Sequence, residues 1–168
     1  MQGYLLDTNI VSYWFDGECL QNQAVVKHVE HLPKGTPLAV SAITLGEIEF
    51  GLRVRSKEPL EFEAELQRFI LDQLPQVLEI TKTTRTYYGL LRARLFDRFA
   101  PAEKRLRGRR PEQLTNPVTG QELGIQENDL WIAAQAIEYN LVLVTNDALT
   151  RIREIGGDLK IEDWTTLP

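Results

Sequence analysis

Apolar and polar positions change their period several times along the chain, and the changes predict alternating strands and helices. Tyr4-Leu5-Leu6 is a short continuous apolar run and reads as a buried strand. Ile10, Val11, Trp14 and Phe15 then fall on one face of a helix, which Asp16-Gly17 ends. A second helix runs from about Leu20 to His31, with Val25, Val26, Val29 and Leu32 on its apolar side. The loop Pro33-Lys34-Gly35-Thr36-Pro37 leads into a second strand, Leu38-Ala39-Val40. Ser41 to Glu47 opens a helix that runs to about Arg55, and Pro59 separates it from another, Leu60 to Leu74. Val77-Leu78-Glu79-Ile80 reads as a third strand. Thr83 or Thr84 is the expected cap of a long helix from about Arg85 to Phe99.

The pattern recovers after residue 124. Leu130, Ala133, Ala134 and Ile137 are spaced as one helical face, in a segment rich in alanine that runs to Tyr139. Leu141-Val142-Leu143-Val144 is the strongest strand signal, apolar at every position as in a strand buried on both faces. A short helix from about Ala148 to Ile155, the turn Gly156-Gly157 and a last strand at Leu159-Lys160-Ile161 complete the chain. Strands alternating with helices predict an α/β domain: a central parallel sheet of four to five strands, flanked by helices through right-handed crossovers.

Length and composition narrow the class. With 168 residues, 43% apolar and 26% charged, the chain is expected to be a single globular domain over 1–168. One cysteine, Cys19, excludes an internal disulfide, and no apolar run approaches a bilayer span. These features, with no basic leader before the first strand, are those of a cytoplasmic protein without a membrane partner. The net charge of −5 argues against non-specific nucleic-acid binding, unless the acids gather where a cation offsets them.

They do gather. Leu5-Leu6-Asp7-Thr8-Asn9 and Leu143-Val144-Thr145-Asn146-Asp147 place an acid, a hydroxyl and an amide where a strand stops. Glu47 opens the helix after the second strand, and Asp129 opens the alanine-rich helix. All four acids belong at the carboxyl end of the sheet, where open α/β folds bind ligands. Each has a structural reading as well: helix cap for Asp7 and Asp147, capping box with Thr44 for Glu47, dipole partner for Asp129. Those readings do not explain the clustering without an interleaved Lys or Arg. Carboxylates brought together repel unless a cation joins them, and oxygen-only ligands suit Mg²⁺ or Mn²⁺. Thr8, Asn9 and Thr145 are expected to orient groups around such a site.

With Ser41-Ala42-Ile43-Thr44-Leu45-Gly46-Glu47 (Gly51 four residues on) and Asn128-Asp129-Leu130-Trp131-Ile132-Ala133-Ala134, these segments resemble the motifs of the PIN domain, in the order and approximate spacing of its VapC-like toxin branch. The resemblance extends over nearly the whole chain, to Ile161-Glu162-Asp163-Trp164. It implies a three-layer PIN-like fold and a Mg²⁺- or Mn²⁺-dependent endoribonuclease, the toxin of a type II toxin–antitoxin pair. Such an enzyme hydrolyses RNA with a metal-activated water, is inhibited by a cognate antitoxin and is often a homodimer. By position, Asp7, Glu47, Asp129 and Asp147 are its acidic quartet, both catalytic and metal-binding. The alternatives are a nuclease of RNA processing or DNA cleavage, or a non-catalytic binding module.

Residues 100–124 depart from that pattern. Lys104, Arg105, Arg107, Arg109 and Arg110 crowd together, and Pro101, Gly108, Pro111, Pro117, Gly120 and Gly124 interrupt any period. The segment reads as a basic loop insertion, either solvated or supplying phosphate contacts through Arg105, Arg107, Arg109 and Arg110. His28 and His31 read as surface residues, Glu49 as solvent-facing, and Trp14 and Trp131 as core. Arg85, Arg92 and Arg94 on the long helix fit either a substrate groove or surface ion pairs.

Overall fold

The computed structural model describes residues 2–54, 60–74, 76–100, 110–146 and 150–168. Five parallel strands, β1 (Tyr4–Leu6), β2 (Leu38–Ser41), β3 (Gln76–Leu78), β4 (Val142–Val144) and β5 (Ile161–Glu162), form one sheet in the order β3-β2-β1-β4-β5. Seven α-helices connect them among the described residues: α1 (Thr8–Phe15), α2 (Asn22–His31), α3 (Ala42–Val54), α4 (Leu60–Gln73), α5 (Lys82–Phe99), α6 (Glu127–Glu138) and α7 (Thr150–Ile155).

The strands show why continuous apolar runs were needed. Side chains alternate across a pleat, so each strand supplies both faces. Leu5, Ala39 and Leu143 point to one layer, where they pack with Leu91 and Leu95 of α5, Leu130, Ala133 and Ala134 of α6, and Ile152 of α7. Leu6, Val40 and Val144 point to the other, against Ile10 and Val11 of α1, Val25 of α2 and Trp164. The alanines of α6 let that helix lie close to the sheet. This is the three-layer arrangement expected from the alternation of strands and helices.

The order reverses between β2 and β4 on either side of β1. β1 pairs with β4 in the register Leu6↔Val144 and with β2 in the register Leu6↔Val40. Loops leaving β1 and β4 run in opposite directions, and a crevice opens at their carboxyl ends. The ladder continues one residue beyond the strands: the Asp7 N–H donates to Val144 O at 3.0 Å, and the Thr145 N–H to Glu162 O at 3.0 Å. Asp7 and Thr145 are therefore fixed by sheet geometry.

Several element boundaries differ from the sequence expectation. The α5 cap is Thr81, whose hydroxyl accepts from the Thr83 and Thr84 N–H groups and donates to Glu138 Oε1 at 2.6 Å. Thr84 lies inside the helix, and its hydroxyl also donates to the Glu138 carboxylate. α6 begins at Glu127, one turn before its apolar face. Residues 110–124 are not merely a solvated loop. They contain a 3₁₀ turn at Pro111–Gln113, a bridge between Thr115 and Glu122, and Leu114, which is fully buried in the core with Ile125 just beyond the segment. Among the described residues, no helix is long and apolar enough to cross a membrane.

Candidate active site

Asp7, Glu47 and Asp129 line one cavity of about 630 Å³ at the carboxyl end of β1, together with Thr8, Asn9, Ile43, Gly46, Phe50, Gln126 and Asn128. No Lys, Arg or His is among these lining residues. Each acid arrives from a different element, and local hydrogen bonds hold each one.

Asp7 caps α1. Its Oδ1 accepts the Thr8 N–H at 2.8 Å, and its Oδ2 accepts the Thr145 hydroxyl at 2.8 Å. Only 6% of its surface is exposed, and Thr145 is 2% exposed. The cap is Asp7 itself, while Thr8 is the first helical residue, so capping and cavity-lining fall to the same side chain.

Glu47 lies on the second turn of α3. The Thr8 hydroxyl donates to its Oε2, and Asn128 Nδ2 donates to its Oε1 at 2.7 Å. The capping box with Thr44 does not form: α3 begins at Ala42, the Ser41 hydroxyl accepts the Ile43 N–H at 3.0 Å, and Thr44 is buried within the helix. The Glu47 carboxylate is thus aimed across the crevice towards α1 and α6.

Asp129 stands in the first turn of α6, where its Oδ2 accepts the Gln126 N–H at 2.7 Å. The structural reading of this acid is realised, yet the residue borders the cavity all the same. The preceding Glu127 is anchored on three sides. Its carboxylate accepts from the Tyr88 hydroxyl and from Arg92 Nη1, the latter at 2.6 Å, and its backbone N–H donates to Glu112 Oε1 at 2.8 Å. Tyr88 stacks on Trp131 with ring centroids 3.7 Å apart. Burial first, and then the Glu127 carboxylate, raise the Tyr88 phenol above its ordinary pKa. These contacts fix the start of α6, and with it Asn128 and Asp129.

Among the described residues, no group of three His, Cys, Asp or Glu side chains converges as closely as the ligands of a bare ion. The donor set still fits a hard divalent cation. It is carboxylate, hydroxyl and amide oxygen, with no Lys, Arg or His among the described lining residues. The cavity is roomy, and Mg²⁺ commonly keeps several waters while touching one or two carboxylates. Asn146, two residues past β4, carries a buried Oδ1 with no hydrogen-bond partner among the described residues and does not line this cavity.

Other residues singled out from the sequence fall as follows. Asp147, Arg105, Arg107 and Arg109 lie outside the described residues. Arg110 is exposed, does not line the cavity, and gives its backbone N–H to Gln113 Oε1 at 3.0 Å. Arg92 is taken up by Glu127, and Arg94 donates to Ile155 O at 3.1 Å. Glu49 pairs with Arg53 on the surface, and His28 stacks on Trp164. Trp14 packs beside the second core layer, whereas Trp131 is only half-buried. Asn128 and Phe50 were not anticipated. The sequence signal for Asn128 was its place directly before an acid, as in Asn146-Asp147.

The PIN domain family matches residues 4–156 of the chain. Ribonuclease VapC2 of Rickettsia felis is 30% identical over 161 residues, covering 96% of this chain and 97% of that protein. The crystal structure of VapBC2 from Rickettsia felis, bound to a DNA fragment from their promoter, contains a chain with a TM-score of 0.68 and 27% identity, covering 96% of this chain and 98% of that one. FitAcB from Neisseria gonorrhoeae shares the fold at a TM-score of 0.65 and 19% identity, covering 98% of this chain and 99% of that one.

Proposed function

Since the chain belongs to the PIN domain family, we propose that it is a Mg²⁺- or Mn²⁺-dependent endoribonuclease acting as the toxin of a toxin–antitoxin pair. The observation that carries this reading is the meeting of Asp7, Glu47 and Asp129 in one cavity whose lining, among the described residues, includes no cationic side chain. Support for the substrate comes from the Rickettsia felis relative, which is a ribonuclease, and support for the partner from the VapBC2 complex to which its fold is similar.

Asp7, Glu47 and Asp129 would hold the ion, with Asp147 as the fourth acid of the set. When bound, the ion supplies Lewis acidity towards a phosphoryl oxygen of the scissile phosphodiester. The chain's own part is positioning. Thr145 and the Thr8 N–H keep the Asp7 carboxylate from rotating. Thr8 and Asn128 divide the two oxygens of Glu47 between them, which leaves its remaining lone pairs for a ligand. Such supporting bonds set the orientation of ligands around a metal. The antitoxin would be a protein partner, and an apolar cavity between α3 and α4, lined by Leu45, Ile48, Leu52, Leu66, Ile70 and Leu71, is a surface suited to one.

The test is cleavage of end-labelled tRNA and rRNA fragments with and without Mn²⁺. Wild type is expected to cut at defined positions only with the metal. Asp7→Asn should lose cleavage while remaining folded, because Asn caps a helix as well as Asp does; its Tm should fall only by the loss of the charged acceptor of the Thr145 hydroxyl. Equal cleavage by this variant and wild type refutes the assigned site.

A further inference from the structure

We propose that Phe50 is a stacking platform for a nucleobase of single-stranded RNA next to the scissile phosphate; the inference rests on the ribonuclease reading above. Three observations converge on it.

The first is exposure in a particular place. Phe50 leaves 68% of its surface in solvent, yet it borders the acidic cavity and not a featureless surface. Ile43, Gly46, Glu47 and Phe50 are spaced as one helical stripe, so the ring stands one turn beyond Glu47 on the same side of α3. The apolar face that α3 turns towards α4 is a different stripe, built from Leu45, Ile48 and Leu52. Phe50 is not part of it. That separation favours RNA over a protein partner as the occupant.

The second is charge. Among the described residues, the cavity lining holds three carboxylates and no Lys, Arg or His. These give a phosphate no cationic side chain to pair with, and a metal ion offsets only the phosphate it touches. A contact that needs no charge would hold a neighbouring nucleotide beside these acids. Stacking on an aromatic ring does this, and every base has a face to offer.

The third is open space beside the ring. Gly46 lies one turn before Phe50, in a helix interior where glycine is disfavoured. A Cβ built on Gly46 would meet nothing within 4 Å among the described residues, so no packing demand from them accounts for the glycine. Its absence of a side chain leaves the surface beside Phe50 clear for a flat ligand. A second cavity of about 420 Å³ shares Thr8, Asn9 and Glu47 with the first, so the site continues past Glu47 as a groove and is not a closed pit. A strand passing through that groove would present one base to Phe50 as its phosphate reaches the acids.

The experiment uses short single-stranded RNA with 2-aminopurine placed in turn at each position. Fluorescence is read on a background where Asp129→Asn blocks cleavage, and steady-state cleavage is read with the single Phe50 variants. With Phe50 present, one position is expected to be quenched on binding. Phe50→Ala should abolish that quenching and raise KM roughly tenfold or more, the scale of one lost base stack, with the metal concentration for half-maximal activity unchanged. Phe50→Trp should restore both readings, and Phe50→Leu, apolar without a flat ring, should not. Quenching and KM unchanged in Phe50→Leu overturn the inference and leave the ribonuclease reading standing. So does a Phe50→Ala variant that binds RNA normally and differs only in self-association or antitoxin pairing. If wild type cleaves no RNA with any divalent metal, both fall together.

Discussion

Replacing Thr145 with valine isolates one hydrogen bond at the centre of the site. The two side chains have nearly the same shape, so the change removes a hydroxyl without opening a cavity. That hydroxyl donates to Asp7 Oδ2 at 2.8 Å, between residues that are 2% and 6% exposed. Water has little access to replace it. A hydrogen bond to a charged group contributes about 1.5–3 kcal/mol. Asp7 Oδ1 keeps the Thr8 N–H, so the carboxylate is loosened and not abandoned. A loss of about 2 kcal/mol is therefore expected, and for a chain of this size it lowers Tm by about 4–8 °C. The same loosening acts on metal binding, where loss of a supporting hydrogen bond typically weakens affinity or activity about 10–100-fold. The assay is thermal melting by circular dichroism, paired with a Mg²⁺ titration of RNA cleavage. Thr145→Ser serves as the control, since it restores the donor. If Thr145→Val melts with wild type and needs no more Mg²⁺, the hydrogen bond does not hold Asp7 in place and the reasoning fails.

Three further outcomes follow from other contacts. Asn128→Ala removes the amide that orients Glu47 and should cut cleavage about 10–100-fold, with little change in Tm; unchanged cleavage would show that Thr8 suffices. Thr81→Ala removes the α5 cap and a bond to Glu138, so chemical denaturation should register a loss of about 1 kcal/mol or more, with cleavage kept. Tyr4 tests the alkaline limb: burial first, and then the Glu162 carboxylate, raise its phenol above 10.0. A raised phenol favours the neutral form in the folded state. Its contribution is whole below the unfolded value and is lost as pH rises through the folded one. Melting followed above about pH 10 should therefore fall more steeply for wild type than for Tyr4→Phe, and parallel curves would contradict this.

The central strands were legible because they are buried on both faces. Leu5-Leu6 and Leu141 to Val144 have no polar residue to dilute the signal, and their neighbouring places follow from the shared carboxyl-end motif. The carboxyl-end placement of Asp7, Glu47 and Asp129 could be read in the same way, since each follows a strand or opens a helix. What could not be read is what holds them. The Thr8–Glu47 and Asn128–Glu47 bonds join residues far apart in sequence, and local periodicity carries no trace of such pairs. The Tyr88–Arg92–Glu127 cluster was missed for the same reason. Residues 110–124 misled because their charges and prolines conceal Leu114, a core residue whose apolar neighbour at helical spacing, Val118, is exposed. The α5 cap was displaced because the closely spaced threonines 81, 83 and 84 are equivalent in sequence, and the Glu138 carboxylate that engages Thr81 lies on another helix.

The central claim is that the acidic cavity is a divalent-cation site, and Mn²⁺ binding followed by electron paramagnetic resonance tests it without reference to any substrate. Wild type should bind the ion, and Asp7→Asn, Glu47→Gln and Asp129→Asn should each weaken binding about tenfold or more while remaining folded. Folded variants that bind Mn²⁺ as tightly as wild type would contradict the account, whatever their activity on RNA.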